Sequence, residues 1–367
     1  MPGTAPAIFF HSDAVETEGK DLVGRRSAGE SFLRGWLAHA PGDEVRVVAQ
    51  SDGSIKALKR HIEALGVDRP LKAWVTARDD FTEAGTVFCP VPGFMGATWL
   101  RQAYGAERCS LVGITHTVST RRVIEGLHNL LAEPFEAWDA IICTSRAVQS
   151  VVKRQFELEE EYLRQRFRAG RVPLPQLPLI PLGINAADYR SDPEARQEMR
   201  ARQRAGDDAF VVLTMGRFTV GEKANMVPLF QVLERLAAKS ARPVHLWMTG
   251  WTANEKERDV HLRGAAEIAP SVTCQLLDGR DEEIRRKVWS GADVFTLPVD
   301  NIQETFGLVP VEAMSAGLPV VMPDWDGFRD TIVHGETGWL IPTWLAAPGQ
   351  GRLLARRFLT GADDYLR

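Results

Sequence analysis

The sequence is poor in the features that would place it in several common classes. Its four cysteines, Cys89, Cys109, Cys143 and Cys274, form no CxxC pair, and no histidine lies close enough to complete a zinc knuckle. They sit in strand-like runs (TVFCP, DAIICTS), which predicts buried free thiols rather than ligands or disulfides. The histidines form no HExxH or similar local cluster, so nothing argues for a structural metal. No apolar run approaches the ~18 residues a membrane span requires. A surplus of basic charge is also lacking: 44 Lys+Arg against 48 Asp+Glu give a formal charge of −4, which argues against a nucleic-acid partner. The opening MPGTAPAIFFHSDAV has no Lys or Arg ahead of its short apolar stretch, so it does not read as a secretory signal and the expected location is cytoplasmic. There is no internal repeat or low-complexity segment.

What is present is alternation. Short β-rich runs recur with helix-period stretches between them, the pattern of parallel βαβ units. In the first half strands are expected at 7–11, 45–50, 71–76, 86–89, 110–115, 139–143 and 178–182, with helices at 28–39, 54–65, 120–132 and 147–168. The second half, after PLGINAADY, repeats the pattern with strands at 209–215, 244–249, 272–276, 293–297, 319–322 and 338–341. Helices fall at 193–204, 226–239, 255–268, 281–290, 310–316 and 327–333. At 367 residues this predicts two doubly wound, Rossmann-like α/β domains, 1–185 and 186–367, facing a central cleft. Ligands then belong at the carboxyl ends of the strands.

Several loops at those ends carry chemistry. GRRSAGES, residues 24–31, has the glycine spacing of a phosphate-binding loop, but Glu30 stands where Lys is required and would repel a triphosphate. A triphosphatase is excluded. What remains is a loop in which Gly24 and Gly29 allow close approach to a donor, or else a plain turn with solvated arginines. In QETFGLVPVEAMSAGLPVVMPDWDG, Pro310 suits the first position of a helix and Gly317 its left-handed C-terminal cap. The amides of Phe306, Gly307 and Leu308 approach the N-terminus of that helix, a place suited to a phosphate or a sugar hydroxyl. Glu304 and Glu312 suit vicinal diols, although taken singly Glu304 is better explained as a solvated carboxylate and Glu312 as one that complements the helix dipole. Arg217 and Lys223 follow the VVLTM strand at its carboxyl end, where solvated cations are the bland alternative. His116 ends another strand, and CPVPGFMGATW holds Phe94, Met95 and Trp99, more often core than sugar platform.

Taken as strings, these residues resemble the retaining GT-B glycosyltransferases of family 4, the glycosyl transferases group 1. The E-x7-E motif matches Glu304 and Glu312, with FGL and EAMSAGLPVV around it. VVLTMGRFTVGEK resembles the family's strand and R…K pair, and DAIICTSRAV, PLGIN and GETGWLIP resemble flanking segments. The resemblance implies a two-domain fold with the acceptor on the first domain and the nucleotide-sugar donor on the second. It implies that Arg217 and Lys223 hold the donor diphosphate without a metal or other cofactor, and that His116 lies beside the donor sugar. The function it implies is metal-independent sugar transfer from a nucleotide sugar to a glycan, lipid or small-molecule acceptor, with retention. A sugar-nucleotide 2-epimerase and a silent sugar-nucleotide-binding scaffold share the fold and stay open as alternatives. Family members continue past GETGWLIP through further helices, and residues 343–367 leave room for little of that region. Arg164, Arg166, Arg168 and Arg171 form a basic patch preceded by glutamates, so a charge-compensated helix is favoured over peripheral attachment to the inner face of a membrane.

Overall fold

The alternation becomes two all-parallel sheets. A computed structural model describes residues 5–11, 24–220, 223–301, 304–344 and 351–360, and the chain divides between Gly183 and Ile184 into two compact units, two residues ahead of the expected boundary. The first unit contains β1 (Ala7–Phe10), α1 (Gly24–His39), β2 (Val45–Ala49), α2 (Asp52–Ala64), β3 (Leu71–Val75), β4 (Thr86–Phe88), α3 (Ala97–Gln102), β5 (Ser110–Ile114), α4 (Arg121–Leu130), β6 (Ala140–Ile142) and α5 (Arg146–Phe167). Its strand order is β3-β2-β1-β4-β5-β6.

The second unit contains α6 (Pro193–Arg202), β7 (Phe210–Arg217), α7 (Val227–Ala237), β8 (Val244–Trp251), α8 (Glu255–Ile268), β9 (Thr273–Asp278), α9 (Glu282–Gly291), β10 (Val294–Thr296), α10 (Leu308–Ser315), β11 (Val320–Asp324), α11 (Phe328–Thr331), β12 (Gly338–Pro342) and α12 (Gly351–Thr360). Its order is β12-β11-β10-β7-β8-β9. Each order reverses once, between β1 and β4 and between β7 and β10, which gives each unit a topological switch point.

The strands are continuous apolar runs because helices cover both faces of each sheet. In β7, Val211, Leu213 and Met215 face a core with Trp247, Trp289 and Phe295, while Val212 faces the other with Phe230 and Met248. In the first unit Ala7 and Phe9 look one way, Ile8 and Phe10 the other. Ser51, Ser145, Asp192, Asn254 and Asp281 each accept an amide of the first turn of α2, α5, α6, α8 and α9, which fixes where those helices start.

Both units use the same clamp. Asp139, just before β6, receives two bonds from the buried Arg101 guanidinium (2.7 and 2.8 Å) and one from the Leu111 amide of β5 (2.8 Å). Asp293, just before β10, pairs with Arg200 and Arg196 and accepts the Val211 amide of β7 (2.8 Å). Burial works to raise the Asp293 pKa, but the Arg196 hydrogen bond, the Val211 amide and the Arg200 charge outweigh it and hold the carboxyl below its ordinary range.

Three expectations need correction. Residues 178–182 form no strand of their own: Pro173, Pro175, Pro178 and Pro181 leave few donors, and the segment meets β6 only through bridges at Gln176 and Leu179. Helix α1 begins at Gly24, so Gly29 lies inside the helix, not in a loop. The cost of a helical glycine, about 1 kcal/mol, is accepted here within a run that otherwise suits a helix. Helix α10 begins at Leu308, so Pro310 occupies its third position and Glu312 its second turn. A proline is tolerated there because the first four amides of a helix have no intrahelical acceptor.

Candidate functional site

Three loops of the second unit meet at the carboxyl ends of β7, β10 and β11, beside the switch point. Sheet packing there depends on glycine: a Cβ on Gly250 would lie 1.8 Å from the Gly216 carbonyl oxygen, and one on Gly279 2.7 Å from Gly250 Cα. The ends of β7, β8 and β9 therefore approach more closely than side chains would permit. Arg217, half-buried, is the last residue of β7.

The loop that follows is stitched to its neighbours. The Lys223 amide donates to Thr219 O (3.2 Å), and Ala224 bridges Val299 in the antiparallel sense. Asn301 Nδ2 donates to Lys223 O (3.0 Å), and Trp325 Nε1 to Asn301 O (2.9 Å). The partly buried Lys223 Nζ forms an ion pair with Glu304 Oε2. A pair 81 positions apart in the chain is thus closed directly across the switch point.

From Glu304 the chain turns into α10. Thr305 and Phe306 are buried, and Gly307 caps the helix at φ +81°, where an added Cβ would lie 2.2 Å from the Phe328 ring. Gly327 likewise has no room for a Cβ against Thr305 O and Phe306 Cα, both 2.4 Å away. The Leu308 amide belongs to the open first turn of the helix, where an anion or hydroxyl finds donors and a favourable dipole. At the other end Gly317, at φ +79°, donates to Met314 O (3.0 Å), and Leu318 to Ala313 O (3.0 Å). That is a Schellman cap, with the glycine where it was expected.

The two glutamates differ in environment. Glu304 is paired with Lys223, whereas Glu312 is 9 % exposed and accepts a hydrogen bond from Tyr189 Oη (3.0 Å). Burial pushes the Glu312 carboxyl up to about 7, although the Tyr189 hydrogen bond and the Arg285 charge pull it down. Asp326, in left-handed backbone at φ +42°, is also pushed up to about 7, by burial and by the Glu304 charge. Among the described residues no three His, Cys, Asp or Glu are grouped as metal ligands would be. A cavity of about 420 Å³ lined by Gly317, Pro319, Gly338 and Trp339 lies at the opposite, amino ends of β11 and β12 and involves none of these groups.

Arg217, Lys223, Glu304, Phe306, Gly307, Leu308 and Glu312 are therefore carried by the end of β7, the neighbouring loops and one helix of the second unit. The remaining candidates lie in the first. His116 follows the carboxyl end of β5 and its Nε2 donates to Pro90 O (3.0 Å). Gly24 is the first residue of α1 and Gly29 lies in its second turn. Phe94 is core, while Trp99 is exposed. Sequence reasoning missed Tyr189, Asn301 and Trp325. Tyr189 stands in the quoted PLGINAADY string, but its partner is 123 residues away and no local spacing could reveal it.

Residues 209–350, from the start of β7 past β12, match the family model described as glycosyl transferases group 1. Over these residues the second unit resembles the group 1 glycosyltransferases. The chain is 26 % identical over 201 residues to the GDP-mannose-dependent alpha-(1-6)-phosphatidylinositol monomannoside mannosyltransferase of Mycobacterium tuberculosis, an alignment covering 49 % of this chain and 46 % of that protein. It is 23 % identical over 177 residues to the lipopolysaccharide 1,2-N-acetylglucosaminetransferase of Salmonella typhimurium, covering 47 % and 45 %. The chain thus spans under half the length of these relatives. Among solved structures the likeness is one of fold: Anabaena Alr3699/HepE, solved in complex with UDP, superposes over 96 % of this chain and 89 % of its own with a TM-score of 0.59 at 17 % identity. Each unit thus has the Rossmann-like fold found in GT-B proteins, and the group 1 match falls in the second.

Proposed function

We propose that the chain is a glycosyltransferase that moves a sugar from a nucleoside-diphosphate sugar to an acceptor hydroxyl, with retention and without a metal. The observation that carries this reading is the Lys223–Glu304 pair beside Arg217 at the carboxyl end of the switch point. A cation and a carboxylate held together there suit a ligand that is anionic at its diphosphate and rich in hydroxyls at its sugar. Diphosphate draws Lys223 and Arg217 to itself and frees Glu304 to accept sugar hydroxyls. The open first turn of α10 adds amide donors, and Glu312 takes the ribose diol.

The bond from the anomeric carbon to the β-phosphate oxygen breaks with its electron pair passing to that oxygen, where the two cations stabilise the charge. The acceptor oxygen bonds to the same face of the anomeric carbon, and its proton passes to the leaving phosphate. Preorganised cations of this kind are each worth about 10²–10³ in rate. The names of the two relatives favour an acceptor carried on a lipid. Among the described residues no helix is long and apolar enough to cross a membrane, so such an acceptor would be met at a surface. The arginines at the end of α5 are partly compensated, Arg164 pairing with Glu160 at 2.8 Å.

Incubation with a panel of UDP- and GDP-sugars in EDTA, reading released diphosphate with and without phospholipid acceptors, tests this. Release from one donor, abolished in the Arg217→Ala/Lys223→Ala double variant, is expected. Release that requires added manganese or magnesium defeats the metal-free part, and release unaffected by the double variant defeats the site.

A further inference from the structure

We propose that Tyr189 is a positioning residue for the nucleotide, its hydroxyl holding the Glu312 carboxylate in the orientation that accepts the ribose diol. The proposal rests on the reading above, in which Glu312 is the ribose ligand.

A glutamate side chain has three rotatable bonds, and a buried one without a partner would have no fixed direction and a large desolvation penalty. Tyr189 supplies the direction. It ends a 3-10 turn, Ala186–Tyr189, and its ring stands edge-on to Trp289, 6.0 Å between centroids at 80°. Trp289 is 1 % exposed and packs in turn on Phe295, so the phenol is held by core residues. The turn is tied to the same helix that carries Glu312, since Ser315 Oγ donates to Ala186 O (3.4 Å). The hydroxyl occupies one lone pair of Oε1, leaving Oε2 and the second lone pair of Oε1 for a ligand.

The charged and titratable groups acting on Glu312 are Tyr189, from the 3-10 turn, and Arg285, from α9. Tyr189 itself is influenced by Glu312, Asp188 and Arg285. Burial and then the Glu312 charge drive the phenol far above its ordinary range, so it stays a donor at any ordinary pH. Glu312, pushed up to about 7 by burial, loses its proton within the working range. A diol ligand that needs the carboxylate therefore binds better as pH rises through about 7. Removing the phenol hydroxyl withdraws a hydrogen bond that favours the ionised form, so the midpoint moves to higher pH.

UDP and GDP are titrated by calorimetry into the full chain and into Tyr189→Phe and Glu312→Gln at pH values from 6 to 9, with the thermal midpoint of each protein as control. Tyr189→Phe is expected to weaken the preferred nucleotide about tenfold at pH 7, to shift the pH midpoint of affinity upward, and to stay folded because the ring still packs on Trp289, with only the small fall in thermal midpoint that one lost hydrogen bond brings. Unchanged affinity and midpoint in Tyr189→Phe, with a weakened Glu312→Gln, overturn the tyrosine's role and leave the ribose reading intact. An equal loss at every pH shows that the hydroxyl does not act by favouring the ionised Glu312 carboxylate and also overturns it. Normal affinity in Glu312→Gln removes the ribose reading itself. Independently of how Tyr189→Phe folds, a wild-type affinity flat across pH 6 to 9 defeats the proposal.

Discussion

Glu312 is held at a cost, because burial raises its pKa to about 7 from the ordinary carboxylate value. Below about pH 4 the folded and unfolded chains both carry the proton and no penalty arises. As pH rises toward 7 the unfolded chain releases it first, so the group's contribution to stability falls across that window and is fully adverse above it. Glutamine keeps an acceptor for Tyr189 but cannot ionise. Glu312→Gln is therefore expected to match the wild-type chain at pH 4 and to gain on the order of 3 kcal/mol at pH 8, read from denaturant unfolding at both pH values, while losing nucleotide affinity. On the proposed reading Lys223 and Arg217 present the opposite balance, serving the ligand more than the fold. Each alanine variant should lower turnover by about 10²–10³ with little change in its thermal midpoint; a large fall in that midpoint would assign them to structure.

Helix α10 is delimited by two glycines with almost the same backbone, Gly307 at φ +81° and Gly317 at φ +79°. Their surroundings differ: a Cβ on Gly317 meets nothing within 4 Å, whereas one on Gly307 would lie 2.2 Å from Phe328. Gly317→Ala should cost only the left-handed backbone term, about 1 kcal/mol. Gly307→Ala adds a collision with a ring that is 1 % exposed and has nowhere to go, for a total of at least about 3 kcal/mol. Because Gly307 joins Glu304 to the helix, its substitution should also abolish nucleotide binding, whereas Gly317→Ala should preserve it. Chemical denaturation and calorimetric titration of the pair check both halves of this expectation.

At the scale of the whole molecule, each unit has its own two-faced core and its own Arg–Asp clamp. Asp139 and Asp293 each fix the start of one strand to its neighbour, and each would leave a guanidinium uncompensated if removed. Asp139→Ala and Asp293→Ala are each expected to cost about 3–5 kcal/mol, the usual consequence of stranding one member of a buried pair. Hydrogen exchange should show lost protection in β5 and β6 for the first and in β7 and β10 for the second. Retained protection at those strands would mean the clamps contribute nothing.

The sequence by itself determined the strand and helix alternation, because strands buried on both faces must be continuous apolar runs and the covering helices must be amphipathic. It supplied the strings now proposed to hold the donor, Arg217–Lys223 and Glu304–Glu312, and it determined the cap at Gly317, since these are local patterns of a few residues. It misjudged local boundaries where two rules competed: Gly29 reads as a loop residue yet is carried in α1, and the apolar run at 178–182 contains too many prolines to form a strand. Tertiary structure alone decided the pairings. Lys223 with Glu304 and Tyr189 with Glu312 are separated by 81 and 123 residues, and a βαβ topology brings such positions together only after the sheet has closed. The ionisation of Glu312 was likewise invisible beforehand, because a carboxylate's pKa is set by the burial and partners that folding supplies.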